Sequence, residues 1–335
     1  MKQSNYIISC AGFVIIIAGM KIASPILVPF LLATFIAILN LPILLFLQKK
    51  KVPRGISVFI IILLLIFFGG TLSTLLGTSI SGFSSRIPFY TQRISEQANW
   101  AITFINNFGI DIPQSTINEY FDPGTAITII GNTLSGLKSV LTNTFLIILT
   151  ILFLLMEASG IPAKLKHAFP DSNDLFSKIK SFFDGFNRYL VIKTATSLLT
   201  GILIYLWLLF FNIDFPVLWG LLAFMLNFVP NVGSILAAIP AILLAIIQFG
   251  FLKAIFVLFG FLTVNIILGG ILEPRFLGKG LGLSPLIVFL SLIFWGWVLG
   301  PVGMLLSVPL TMLVKIALEN NQNTKWISIL IGSEK

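Results

Sequence analysis

The chain has 335 residues, of which 57% are hydrophobic and only 10% charged. A soluble fold covers its surface with about 25% charged residues, so the ordinary soluble classes are excluded. The 32 Phe, with abundant Ile and Leu, exclude disorder, and the single Cys10 excludes a disulfide scaffold.

The net charge of +9 sits in short loops between apolar runs. There it reads as membrane topology rather than nucleic-acid binding. The runs are long and unbroken, unlike the alternating strands of an outer-membrane barrel. They predict an all-α polytopic membrane protein with span-length helices.

Lys2 followed by Ile7–Met20 has the look of a signal peptide. Further spans follow at once, so it reads as an uncleaved first span, 6–22. Span 2 covers 25–47 and ends in Lys49-Lys50-Lys51 and Arg54. The positive-inside rule puts that cluster, and with it the N-terminus, in the cytoplasm. Span 3, 54–77, completes an N-terminal group, 1–77.

Residues 78–138 carry mixed charge. Ile87, Tyr90, Ile94, Ala98, Ala101, Ile105 and Phe108 recur at three- and four-residue spacing, which predicts an amphipathic helix. Pro113, Pro123 and Gly124 break it, and a second stretch with Ile127, Ile130, Leu134 and Leu137 follows. The segment reads as an extracytoplasmic or interfacial helical insert, a structural arm or oligomer contact rather than a binding domain.

The next division, 139–193, holds span 4 at 139–157 and a cytoplasmic amphipathic helix. Lys164, Lys166, Lys178, Lys180, Arg188 and Lys193 outnumber Asp171, Asp174 and Asp184 there. Leu175, Phe176, Ile179, Phe182, Phe183, Phe186 and Leu190 form one stripe, which reads as a helix lying on the inner leaflet.

The transport core is placed at 194–319, before a cytoplasmic tail, 320–335. Span 5, 194–211, precedes an apolar pair broken at 227–233; span 7, 251–272, precedes a pair broken at 300–303. The pieces beside each break are too short to cross, so each pair reads as a re-entrant helical hairpin. A shift of 69 residues carries Pro216 onto Pro285 and Pro240 onto Pro309. The same shift carries Gly201-Ile202-Leu203 onto Gly270-Ile271-Leu272. Counting crossings makes 194–249 and 251–318 an inverted repeat of span plus hairpin, the arrangement that points to a transporter's substrate site.

Polar residues inside these segments are few, and polar groups in lipid face the protein interior or a pathway. Candidate substrate contacts are Asn227, Pro230, Asn231, Gly233, Ser234, Asn265, Gly300, Pro301 and Gly303. Amides, hydroxyls and tip backbone suit a small neutral polar solute. Glu273, Arg275 and Asp214 are the candidates for ion or proton coupling. Pro274 is expected to end span 7, and Gly278-Lys279-Gly280 to form a turn. No catalytic triad, metal cluster or nucleotide motif is expected, and no cofactor; His167 reads as solvated.

Asn227-Phe228-Val229-Pro230-Asn231-Val232-Gly233 and Ile239-Pro240 resemble the signature of the AI-2E transporter family, also called the autoinducer-2 exporter or PerM-like permease family. So do the run from Glu273-Pro274-Arg275-Phe276-Leu277-Gly278-Lys279 to Ser284-Pro285, and then Trp295-Gly296-Trp297 and Gly300-Pro301-Val302-Gly303. The resemblance implies a bacterial inner-membrane secondary transporter, with export of the quorum-sensing signal autoinducer-2 as the named activity. It also implies a homo-oligomer, with a pentamer as first choice.

Some family members are described as sodium(lithium)/proton antiporters, which is the alternative. A non-transporting scaffold or channel is a third. Antiport needs an intramembrane carboxylate, and of 12 acids only Asp214 and Glu273 lie beside the repeat.

Both termini are therefore expected in the cytoplasm, with 78–138 outside. Cysteine labelling after replacement of Cys10 checks this. A Lys51→Cys variant should react only from the cytoplasmic side, and external labelling would reverse the scheme.

Overall fold

The computed structural model describes residues 2–106, 128–131, 144–158, 173–230, 232–277, 283–319 and 324–332, with 160, 164 and 167. The elements are helical throughout, and no strand occurs among the described residues. The helices are α1 (Lys2–Ile22), α2 (Ser24–Lys49), α3 (Arg54–Ser85), α4 (Ile87–Asn106), α5 (Thr144–Ala158), α6 (Asn173–Phe210), α7 (Pro216–Leu226) and α8 (Gly233–Phe249). Then come α9 (Phe251–Val264), a π-helical segment (Asn265–Leu272), α10 (Glu273–Leu277), α11 (Pro285–Leu305), α12 (Ser307–Glu319) and α13 (Lys325–Ile331). Among the described residues five helical stretches are long and apolar enough to cross a membrane: Ser24–Lys49, Arg54–Ser85, Gly185–Phe210, Phe251–Phe276 and, taken across the kink at Gly300, Pro285–Leu305. The chain is an all-α polytopic membrane protein.

Two compact units share these helices. The first comprises Met1–Phe68, Asn143–Lys193 and Phe276–Lys335. Its core packs Ala33, Ala37 and Leu44 of α2 against Ile147, Ile151 and Leu155 of α5, with Val58, Ile61 and Ile62 of α3. Two alanines one turn apart let the helix backbones approach closely, which drives association where lipid is as apolar as leucine. A second cluster seats Trp295, Val298 and Leu299 of α11 against Ile17 and Met20 of α1 and Leu27, Val28 and Leu31 of α2.

The second unit comprises Gly69–Thr142 and Thr194–Arg275. Its core joins Leu76 and Phe83 of α3, Tyr90 and Ile94 of α4, and Ile204 and Leu208 of α6 to α7, α8 and α9. Ala237, Ala238, Ala241 and Ala245 give α8 a small-residue face, all of it buried. The sequence-derived core 194–319 is thus divided between the units after Arg275: the second hairpin packs with α1 and α2, the first with α4.

Gly201 and Gly220 mark a tight crossing of α6 and α7 within the second unit. A Cβ on Gly220 would stand 2.8 Å from the Gly201 carbonyl oxygen and 2.8 Å from Cβ of Tyr205. A Cβ on Gly201 would stand 2.8 Å from the Gly220 oxygen. Only glycine at both positions allows α6 and α7 this approach.

Three expectations are corrected. The interfacial helix and span 5 are one helix, α6, of 38 residues with no break at 193–194. Nothing between Gly185 and Gly201 stops helix propagation, so α6 runs about 57 Å, nearly twice the hydrocarbon thickness. The side chains of its predicted stripe from Leu175 to Phe183 lie outside the described ones.

Pro274 does not end span 7, because the helix continues to Leu277. The preceding π segment shifts the hydrogen-bond ladder, with Glu273 N–H donating to the Leu268 carbonyl five residues back. Proline lacks an N–H and crowds the carbonyl four residues before it in α geometry; the wider π turn just upstream accommodates that defect. Third, the insert's first helix is a packed core element, with Tyr90 fully buried and Ile94 at 7% exposure. Of the second stretch, residues 128–131 are helical and Ile130 is buried; Ile127, Leu134 and Leu137, like Phe108 of the first stretch, lie outside the described residues.

Gly220→Ala should lower stability by about 1–3 kcal/mol, as overpacking a tight interface does. Gly70→Ala, where a Cβ meets nothing within 4 Å, is the control and should leave stability unchanged or raise it by up to about 1 kcal/mol. Thermal unfolding in detergent compares them; equal melting temperatures would show that the crossing is not close-packed.

Candidate functional site

The candidate site is built on helix breaks. In lipid every backbone N–H and carbonyl needs a partner, so irregular backbone survives only where protein or a wet cavity encloses it. The first break separates α7 from α8. Asn227 N–H still donates to the Ala223 carbonyl at 3.0 Å, and Val229 N–H to Leu226 at 2.8 Å. Val232 N–H then donates to Pro230 at 2.6 Å, and α8 begins at Gly233. A Cβ on Gly233 would fall 1.8 Å from the Leu226 oxygen. Any side chain there would push the two arms apart.

The second break lies within α11 at Gly300, whose φ of +69° only glycine adopts without strain. Gly303 then seats against the first arm: its Cβ would be 2.0 Å from the Trp295 oxygen. The two tips use one device, a glycine pressed onto a carbonyl of the preceding arm. The two carbonyls, Leu226 and Trp295, are themselves 69 positions apart. Pro216 and Pro285 each open their hairpin as the first helical residue, where proline's missing N–H has no helical partner to lose. Ser284 caps the second, accepting from Ile287 N–H at 3.3 Å.

Around the first tip, Asn227 is 7% exposed and its Nδ2 donates to Ser197 Oγ of α6 at 2.9 Å. Phe228 and Val229 are buried, Pro230 and Ser234 half-buried, and Asn231 lies outside the described residues. Asn265 opens the π segment; a Cβ on Gly269 would stand 3.1 Å from Asn265 Oδ1. Glu273 is half-buried and Arg275 exposed. Gly300, Pro301 and Gly303 belong to the first unit and the other described candidates to the second. Gly278-Lys279-Gly280 lies outside the described residues, and His167 is exposed.

Asp214 is engaged elsewhere. Its Oδ2 accepts from Arg86 Nη1 at 2.5 Å and from Tyr90 hydroxyl at 2.8 Å. Its N–H donates to Gln248 Oε1 at 3.1 Å and its carbonyl accepts from Trp219 Nε1 at 2.9 Å. Burial, and then the hydrogen bond to Asp214, raises the Tyr90 hydroxyl far above its ordinary value. It stays a neutral donor at physiological pH. The same carboxylate raises Arg86 through its hydrogen bond and its charge. Asp214 thereby ties the start of α4 to the base of the first hairpin, which suits a structural anchor better than a coupling carboxylate.

Sequence reasoning passed over Ser197 and its neighbours. Lys193, Thr196, Ser197 and Thr200 recur at three- and four-residue spacing on the buried face of α6. That periodic polar stripe inside a span was the available signal. The charged run up to Lys193 reads as a separate surface helix and hides the stripe.

Span-length apolar helices and two hairpins broken at glycines define a polytopic membrane protein of the transporter class. The AI-2E family transporter pattern matches residues 11–323. The AI-2 transport protein TqsA of Escherichia coli K12 is 40% identical over 326 residues, covering 97% of this chain and 95% of the relative. YhhT of the same organism is 32% identical over 328 residues, covering 98% and 94%. YrrI of Bacillus subtilis is 29% identical over 315 residues, covering 87% and 85%. The names of the latter two stop at transport, with no substrate. The chain belongs to the AI-2E transporter family.

Asn227→Ala and Ser197→Ala should each destabilise the protein, and together by less than their sum. The expected coupling is about 0.5–1.5 kcal/mol, the range of interhelical polar contacts in membranes. A double-mutant cycle on unfolding measures it, and additive effects would mean the bond at 2.9 Å contributes nothing.

Proposed function

We propose that this transporter exports a small polar metabolite, autoinducer-2 or a close chemical relative, by alternating access. The observation that carries the reading is 40% identity, across nearly both full lengths, to a relative named as an AI-2 transport protein. The chemistry of the breaks supports it: amides, hydroxyls and tip backbone, with little charge, suit a neutral hydroxylated solute.

In this reading 194–249 and 251–318 are the inverted repeat, and the hairpins 215–249 and 284–318 are its opposite gates. Asn227, Pro230, Asn231, Gly233, Ser234, Asn265, Gly300, Pro301 and Gly303 line the route. The N-terminal spans and the insert carry the frame, in a homo-oligomer, with a pentamer as first choice. The protein sits in the bacterial inner membrane with both termini cytoplasmic.

Proton or sodium coupling would fall to Glu273 with Arg275. Antiport as the main activity gains nothing from the relatives, and Asp214 is already held by Arg86 and Tyr90.

Proteoliposome flux tests the reading. Saturable counterflow of autoinducer-2 is the expected result. Cation-driven proton movement without solute flux would turn the assignment to antiport, and neither signal would leave a scaffold.

A further inference from the structure

Ser307 is fully buried, and its Oγ has no hydrogen-bond partner among the described residues. A serine or threonine in a helix usually returns its hydroxyl to the carbonyl four residues back. Thr200 does so to Thr196 at 2.9 Å, and Thr150 to Leu146 at 2.7 Å. For Ser307 that acceptor would be Gly303, and the helix is interrupted between them at Leu306 (φ −91°, ψ 5°). One turn on, Thr311 Oγ1 accepts from Trp295 Nε1 across the two arms at 3.0 Å. The Ser307–Thr311 face of α12 is therefore the face turned toward the first arm.

The backbone here also has acceptor capacity. Pro309 has no N–H to give the Leu305 carbonyl, its partner in an α-helix, just before the hydroxyl. A buried hydroxyl two residues after such a carbonyl, in the arm that follows the break at Gly300–Gly303, is what an interrupted transporter helix offers a ligand. Across 283–318 the single charged residue is Lys315. The one carboxylate of the second arm, Glu319, ends α12 about three turns beyond Ser307, so a bare cation at Ser307 would find no compensating charge beside it, whereas a neutral hydroxylated solute needs none.

We infer that Ser307 Oγ, with the backbone at the Leu305–Leu306 break, is a binding position for a hydroxyl group of a neutral solute, covered when the tip is closed. The inference rests on the reading of this hairpin as part of the transport route.

Stability and flux together decide it. Removing a hydroxyl that makes no protein bond should leave stability unchanged or raised. Ser307→Ala should therefore melt no lower than wild type, yet need about tenfold more autoinducer-2 for half-maximal flux. Ser307→Thr, which keeps the hydroxyl, should recover most of that affinity. Wild-type flux in Ser307→Ala would overturn the inference. So would a joint fall in melting temperature and flux, the mark of a structural hydrogen bond, or an altered sodium dependence, the mark of a cation site. If wild type moves no autoinducer-2, the substrate reading fails on its own. D-ribose, a small neutral polyol, then serves as the probe. A thermal shift with ribose in wild type and not in Ser307→Ala upholds the position; equal shifts, or none in either, reject it.

Discussion

The structure depends on one constraint: a backbone hydrogen bond left unmade in hydrocarbon costs several kcal/mol. Helices satisfy it along their length, so almost every described segment is a helix. The constraint bites only where the helix stops. At the first tip the chain meets it with short-range bonds, Val229 N–H donating to Leu226 and Gly233 N–H to Val229, and at both tips a missing side chain lets the next arm press onto a carbonyl of the preceding one. Gly233 lies where a Cβ would be 1.8 Å from a carbonyl oxygen, and Gly303 where it would be 2.0 Å away.

The same economy of side-chain volume governs helix packing. Lipid supplies no hydrophobic drive between spans, so close approach must be built in. Alanines on α2 and α8, and the Gly201–Gly220 crossing, do this in the two units separately. Polar side chains then act as local ties. Asn227 to Ser197 fixes the first tip to α6, and Trp295 to Thr311 fixes the arms of the second hairpin to each other. Asp214 joins the insert to the first hairpin through Arg86 and Tyr90. A membrane protein with 10% charged residues spends this one carboxylate on holding an element in place.

Several departures from the sequence reading share a cause. Periodicity locates an apolar or polar face but does not say what covers it. Ile87, Tyr90 and Ile94 announce a helix with one apolar side, which a surface arm and a core element satisfy equally; the packing against α8 decides for the core. The polar stripe on α6 has the reverse difficulty, since charge at Lys193 suggests solvent until burial at 5% exposure shows otherwise. Pro274 signals a helix end by local rule, and the π segment before it, which composition does not reveal, absorbs the defect.

Sequence alone determined the membrane class, the span-length helices, the position of both breaks and the family. Each of these follows from local quantities: apolar run length, helix-breaking residues, and motif identity. Tertiary structure decided which residues those breaks enclose. That Asn227 meets Ser197 thirty residues earlier, that Asp214 is held by an insert residue 128 positions away, and that Ser307 lies buried without a partner are facts of long-range packing. No short window of sequence holds both residues of either contact, or shows what surrounds Ser307, so no local pattern could announce them.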